Sequence, residues 1–260
     1  MHRRLQPPWL LIGLVATVLG HLRWGVDLLA LLAPLFWLRH LRRVAARPDP
    51  RDRRRGVGAF LGAWLLAWIG ALLKITSAPI PHAFALLFAL PVALGLVWPY
   101  LLWFAAVRRG AAGTPAVLTF AGAMVIAEWS LYSLSPFGTW GALANAALDD
   151  LPLLQIAALT GMTGVGFVLH AFAAALEQWS AIGARRPLAL AGALLVLAHA
   201  WGGARLARID DEVAPVEVVA AVGTDADVAG LPLPGPDTTA AWDAALFERT
   251  RIAARAGARL

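Results

Sequence analysis

Four apolar runs dominate the chain: residues 57–77, 83–107, 115–134 and 153–182 each extend for at least twenty positions with no more than one charged side chain. About twenty apolar residues in a helix cross about 30 Å of hydrocarbon. Inside a bilayer no water satisfies backbone amides, so runs of this length must close their hydrogen bonds within themselves as helices. A fifth run, 187–206, is near the minimum length and holds His199 near its centre. Pro91 and Pro99 lie inside the second run, where they predict a kink.

The N-terminal stretch divides less cleanly. Residues 9–20 and 24–38 are each short and flank His21-Leu22-Arg23. A tight hairpin of two short helices is the favoured reading, with one long kinked helix as the alternative. A signal peptide is a third reading, but no clear small-x-small cleavage site follows Met1-His2-Arg3-Arg4 and its apolar run. The expected fold is therefore a membrane all-α bundle of about seven transmembrane helices.

Charge supports this and sets an orientation. Hydrophobic residues make up 60% and charged residues 15% of the 260 positions, against about 25% charged in soluble domains. Residues 1–205 carry 17 basic and 7 acidic side chains, whereas 206–260 carry 5 and 9. The basic excess belongs to the membrane part and reports topology; nucleic acid is not an expected partner. Eight arginines crowd positions 39–55, and Arg108-Arg109 and Arg185-Arg186 follow at the right spacing to lie on the same, cytoplasmic side. The connections at 77–82 and 135–152 carry no lysine or arginine and are expected outside, as is everything after Leu206. There is no cysteine, which excludes a disulfide, a thiolate metal site and a cysteine nucleophile from these residues.

Two domains follow, a transmembrane helical domain over 1–206 and an extracytoplasmic one over 207–260. In the second, Val216-Glu217-Val218-Val219-Ala220-Ala221-Val222 reads as a buried strand. A Gly/Pro-rich loop, 223–236, precedes a helix capped by Asp237 or Thr238 and running to about Ala256, with Trp242, Ala245, Leu246, Ile252 and Ala253 on one face. One strand and one helix bury too little to be stable alone, so the segment reads as the opening, incomplete βα unit of a larger α/β domain.

The middle of the chain carries a family pattern. Ala127-Glu128-Trp129 ends one helix, Ser135-Pro136-Phe137-Gly138-Thr139-Trp140-Gly141 follows, then Leu154-Gln155-Ile156-Ala157 and Thr160-Gly161-Met162-Thr163-Gly164-Val165-Gly166-Phe167. In this order the segments resemble the membrane half of bacterial apolipoprotein N-acyltransferases, and the tail resembles the start of their nitrilase-like domain. The loop at 135–141 departs from the usual Gly-Phe-Pro-Trp version and suggests a divergent carbon–nitrogen hydrolase-type relative. The resemblance implies a bacterial inner-membrane enzyme that passes an acyl chain from a phospholipid, through a cysteine thioester, to the N-terminal amine of a lipid-modified protein, without a cofactor. The glutamate, lysine and cysteine of that chemistry would lie beyond Leu260. No catalytic residue is assigned here, and this chain alone is expected to be inactive.

Four residues are expected to contact lipid or substrate: Glu128, Trp129, Phe137 and Trp140. Glu128 lies within a membrane helix, where a carboxylate needs a reason to exist; it either anchors the loop above it or faces the lipid-entry cavity, or, protonated or paired with Lys74, it holds helices together. Phe137 and Trp140 sit in an outside loop that can present aromatics to acyl chains. His170 and His199 lack companions at metal-ligand spacing and read as interhelical hydrogen-bonding groups rather than ligands; no metal site is assigned. Glu177 and Gln178 are expected to snorkel from their helix end. Trp64, Trp68, Trp98, Trp103, Trp129, Trp140 and Trp179 read mostly as interfacial belts, and Gly161, Gly164 and Gly166 as small-residue packing. A non-catalytic scaffold or lipid-binding protein is the alternative function, and a small transporter the less favoured one, since no internal repeat is visible.

Overall fold

The computed structural model describes residues 8–21, 26–73, 85–135, 138–139, 141–209 and 236–255. All regular structure among them is helical. The elements are α1 (Trp9–His21), α2 (Asp27–Ala45), α3 (Pro50–Leu72), α4 (Ala85–Arg108), α5 (Thr114–Leu134), a 3₁₀ turn (Leu143–Ala147), α6 (Leu151–Leu154), α7 (Ala157–Ile182), α8 (Arg185–Ile209) and α9 (Pro236–Arg255).

Local chemistry places several boundaries. Asp49 accepts the Arg51 amide at 2.9 Å and Pro50 occupies the first turn, so α3 starts inside the arginine-rich stretch rather than after it. The segment 39–55 is consequently not a loop: α2 runs on through its arginines to Ala45, and only 46–49 turn. Gly183, at φ 72°, ends α7 in the left-handed conformation that glycine adopts without cost. Asp150 caps α6 through the Leu153 amide at 3.2 Å. The run 153–182 is divided, because Gly161 leaves helical geometry at φ 66°, ψ −173°. Helix α4 continues through both Pro91 and Pro99.

Five helices are long and apolar enough to cross a membrane: α3, α4, α5, α7 and α8. Helix α1 is apolar but has 13 residues, and α2 gives its last two turns to arginine. The two are separate helices, packed on each other. The proposed strand 216–222 and Lys74 lie outside the described residues. The expected C-terminal helix is present as α9, from Pro236 to Arg255.

Packing runs in a ring. Helix α1 lies against α2 and α3, α3 against α4, α4 against α5, α5 against α7, and α7 returns to α2; α8 leans on the outside of α7 and on α6. Trp37, Phe60, Trp64, Tyr100, Phe120 and Met124 fill the ring with side chains that are almost wholly buried. Their rings form a connected path: Trp37–Trp64 at 5.6 Å, Trp64–Tyr100 at 4.9 Å and Tyr100–Phe120 at 4.9 Å between centroids. Trp64, Trp68 and Trp103 are thus core residues, not members of an interfacial belt, whereas Trp98, Trp129 and Trp179 are exposed. Of these three, Trp64 donates its indole N–H to the Ala93 carbonyl at 2.8 Å, while the indole nitrogens of Trp68 and Trp103 are buried without a hydrogen-bond partner. Outside the ring, Leu86, Leu90, Leu94, Leu118, Ile126, Val196 and Leu197 are exposed. An apolar mantle of this extent suits hydrocarbon and not water.

Candidate functional site

The polar centre of the ring is built on Glu128. It lies 14 residues into α5, about 21 Å from the helix start at 1.5 Å per residue, and only 3% of its surface is exposed. A carboxylate there costs several kcal/mol unless hydrogen-bonded. Its Oε1 meets two groups: the Leu143 amide donates to it at 2.9 Å, and His170 Nε2 of α7 lies at 2.9 Å. His170 is itself buried and stands edge-on to Phe120 at 5.8 Å. Its Nδ1 has no partner, so the tautomer with the proton on Nε2 leaves no buried N–H unpaired.

The second carboxylate oxygen explains a glycine. A Cβ on Gly166 would stand 2.7 Å from Glu128 Oε2, inside van der Waals contact. Gly166 thus makes room for a carboxylate between α5 and α7, which bears out small-residue packing in a specific form. Gly161 has a different use, breaking the helix one turn earlier.

What the carboxylate holds is the connection between α5 and α6. Through Leu143 it pins the 3₁₀ turn onto the end of the ring, and Leu143, Ala144 and Ala147 bury against Ala30, Leu153 and Val165. Gly141 at φ +82° lets this connection approach closely; a Cβ there would meet Trp68 at 2.9 Å and Val92 at 3.0 Å. Asn145 donates to the Thr139 carbonyl at 2.8 Å. A second tie joins His199 Nε2 of α8 to Asp150 Oδ2 at 2.8 Å. Both intramembrane histidines therefore make interhelical or loop hydrogen bonds, as their isolation in the sequence predicts. Among the described residues no three His, Cys, Asp or Glu side chains converge in a way that could hold a metal ion.

The opposite end of the ring holds a second buried polar group. Glu177 and Gln178, expected to snorkel, are fully buried. Arg42 of α2 grips Glu177 with both ends of its guanidinium, Nε to Oε1 at 2.5 Å and Nη2 to Oε2 at 2.8 Å. Gln178 donates to Glu177 at 2.9 Å and accepts the Gly113 amide at 2.9 Å. Arg39 donates to the Ser180 carbonyl at 2.8 Å. These bonds bring the α2–α3, α4–α5 and α7–α8 turns, which carry the arginine clusters, to one end. The Glu128 joint and the 3₁₀ turn lie toward the other.

A family model described as the apolipoprotein N-acyltransferase N-terminal domain matches residues 9–175, a span containing Glu128, Leu143, Gly166 and His170. The chain belongs to the apolipoprotein N-acyltransferase family. Two relatives of that name are similar to it. The one from Chromobacterium violaceum is 29% identical over 209 residues, covering 76% of this chain and 39% of the relative. The one from Rhizobium meliloti is 30% identical over 155 residues, 59% of this chain and 29% of the relative. The chain therefore spans less than two fifths of the length of either. No solved structure matches it.

Of the four expected contact residues in this N-acyltransferase relative, Glu128 points inward and Trp129 is exposed on the apolar mantle, so adjacent positions on α5 face core and surroundings. Phe137 and Trp140 lie outside the described residues. Sequence reasoning missed His170 as the partner of Glu128. The signal was available, since two isolated polar residues in membrane-length helices must find each other or remain unpaired, but 42 positions separate them and several polar groups compete for each.

Proposed function

We propose that this chain supplies the membrane portion of an N-acyltransferase that moves an acyl chain from a phospholipid to the N-terminal amine of a lipid-modified protein at the bacterial inner membrane. The observation that carries the reading is the Glu128 joint, inside the segment matched to the family. It fixes the α5–α6 connection at the end of the bundle away from the arginines, where a lipid-processing domain would dock. In this reading α1 and α2 complete a set of about seven spans. Residues 1–206 form the transmembrane domain, and 207–260 begin an α/β domain outside the cytoplasm. Trp129, Phe137 and Trp140 present aromatic surface to acyl chains, and Glu128 is a positioning residue.

The chemistry needs a thiolate nucleophile for the thioester, and these 260 residues contain no cysteine. They bind and orient lipid and transfer nothing by themselves. Deleting the gene tests the function. Mass spectrometry of lipoprotein N-terminal peptides should then show free α-amino groups. Complete N-acylation in the deletion strain would refute the assignment.

A further inference from the structure

The α4–α5 and α7–α8 turns stand side by side at the arginine-bearing end, and a cavity of about 510 Å³ opens between them. That size is in the range of sites for small organic groups. One wall is the start of α5, with Thr114, Pro115 and Leu118; the other is the start of α8, with Arg185, Arg186 and Pro187. No acidic side chain lines it. The walls are held from below, because the Gly113 amide donates to the buried Gln178 of α7 at 2.9 Å and Gly183 closes α7 just ahead of Ala184. A cavity of about 580 Å³ between α2, α6, α7 and α8, toward the other end, has the opposite character: Asp27, Asp149 and Asp150 line it, and no lysine or arginine does.

Charge around the basic cleft is unbalanced. Arg108 and Arg109, at the end of α4, lead into the α5 wall, and together with Arg185 and Arg186 they are exposed. None of the four pairs with a carboxylate among the described residues, and the acids nearby are engaged: Glu177 by Arg42, Asp52 by Arg55, and Asp49 by its cap on α3. Beyond the rim the surface turns apolar. Leu118 and Leu190 lie one turn further along α5 and α8 than Thr114 and Arg186, on the same helix faces, and are 53% and 52% exposed. A cationic mouth therefore opens directly onto the hydrocarbon-facing mantle.

We propose that this cleft seats an anionic lipid with two phosphates joined through a glycerol, its head between the arginine pairs and its chains along α5 and α8. Two pairs of guanidinium groups match two phosphate diesters, each of which accepts charge-assisted hydrogen bonds. Basic pockets between helices select such polyanionic heads from the surrounding bilayer. A zwitterionic head would bring its own ammonium against the arginines, and a free phosphate has no chains to lie on Leu118 and Leu190. The cleft is at the end away from the Glu128 joint and serves no step of acyl transfer, so it stands even if gene deletion leaves lipoproteins N-acylated.

Native mass spectrometry of the purified chain in dodecyl maltoside micelles decides it, with cardiolipin, phosphatidylglycerol and phosphatidylethanolamine of matched acyl composition supplied in competition. Cardiolipin should be retained about tenfold over the ethanolamine lipid, with phosphatidylglycerol between them. Arg185→Gln with Arg186→Gln should cut that preference about fivefold or more. Arg51→Gln with Arg54→Gln removes the same charge from exposed arginines at the same end but outside the cleft, and should leave the preference intact. Leu118→Trp, which fills the cleft at unchanged charge, should lower cardiolipin retention; this variant and the single arginine changes carry the test should the Arg185, Arg186 double variant not fold. Equal retention of the three lipids, a preference that survives the Arg185 and Arg186 changes, equal losses from the two double variants, or displacement of cardiolipin by equimolar inorganic pyrophosphate overturns the proposal.

Discussion

Glu128 shows how one side chain can organise a connection that has little regular structure of its own. Its Oε1 takes two donors, from a backbone amide and an imidazole, and its Oε2 fills the space left by Gly166. The arrangement is unforgiving. In Gly166→Ala the new methyl stands 2.7 Å from Oε2, and the carboxylate yields by rotating away from Leu143 or His170. Losing one such bond to a buried charge costs about 1.5–3 kcal/mol. The heat-aggregation midpoint of the detergent-solubilised protein should fall by several degrees. The Gly166→Ala, Glu128→Gln double variant should fall by less than the sum of the two single changes, because both act on one contact. Strict additivity would show that Gly166 leaves space for something other than the carboxylate.

Helix α7 carries two polar joints, His170 at its middle, joined to Glu128, and Glu177-Gln178 near its C-terminal end, toward the arginine turns. The second is a bidentate ion pair between α2 and α7, and the guanidinium also stacks over Trp103 at 5.3 Å. Removing one member of a buried pair leaves the other uncompensated. Arg42→Met should therefore destabilise the protein by about 3 kcal/mol, read as loss of folded material in size-exclusion chromatography. Arg42→Met with Glu177→Leu should recover most of it. If the single change is silent, the pair is decorative. The membrane-length apolar helices were legible in the sequence because hydrocarbon length and backbone satisfaction act locally, whereas the helical ends inside the arginine-rich stretch and the break at Gly161 were not. The ion pair was not, since 135 positions separate its members, and Glu177 near a helix end reads equally well as a solvated residue. The same blindness put Trp64, Trp68 and Trp103 in a belt: amphipathic rings suit an interface, and only the ring of helices shows that these three are enclosed.

At the scale of the molecule, three hydrogen-bonded ties place the arginine-bearing turns together, in line with loop charge setting membrane orientation. An alkaline phosphatase fusion after Leu206 should be active, and one after Gly110 inactive, since that enzyme matures only outside the cytoplasm. The reverse pattern would invert the bundle and remove the basis for an outside lipid-processing role. The linear sequence determined that this protein is a set of apolar helices with an arginine-marked face, because length, hydropathy and charge bias are properties of contiguous residues. It also carried the order of motifs that marks the family. Tertiary structure alone decided which polar side chains meet, Glu128 with His170 and Glu177 with Arg42, and where a cavity of about 580 Å³ opens. Those depend on the ring closing α1 through α5 upon α7, and a buried polar group takes whichever partner the closed ring brings within 3 Å.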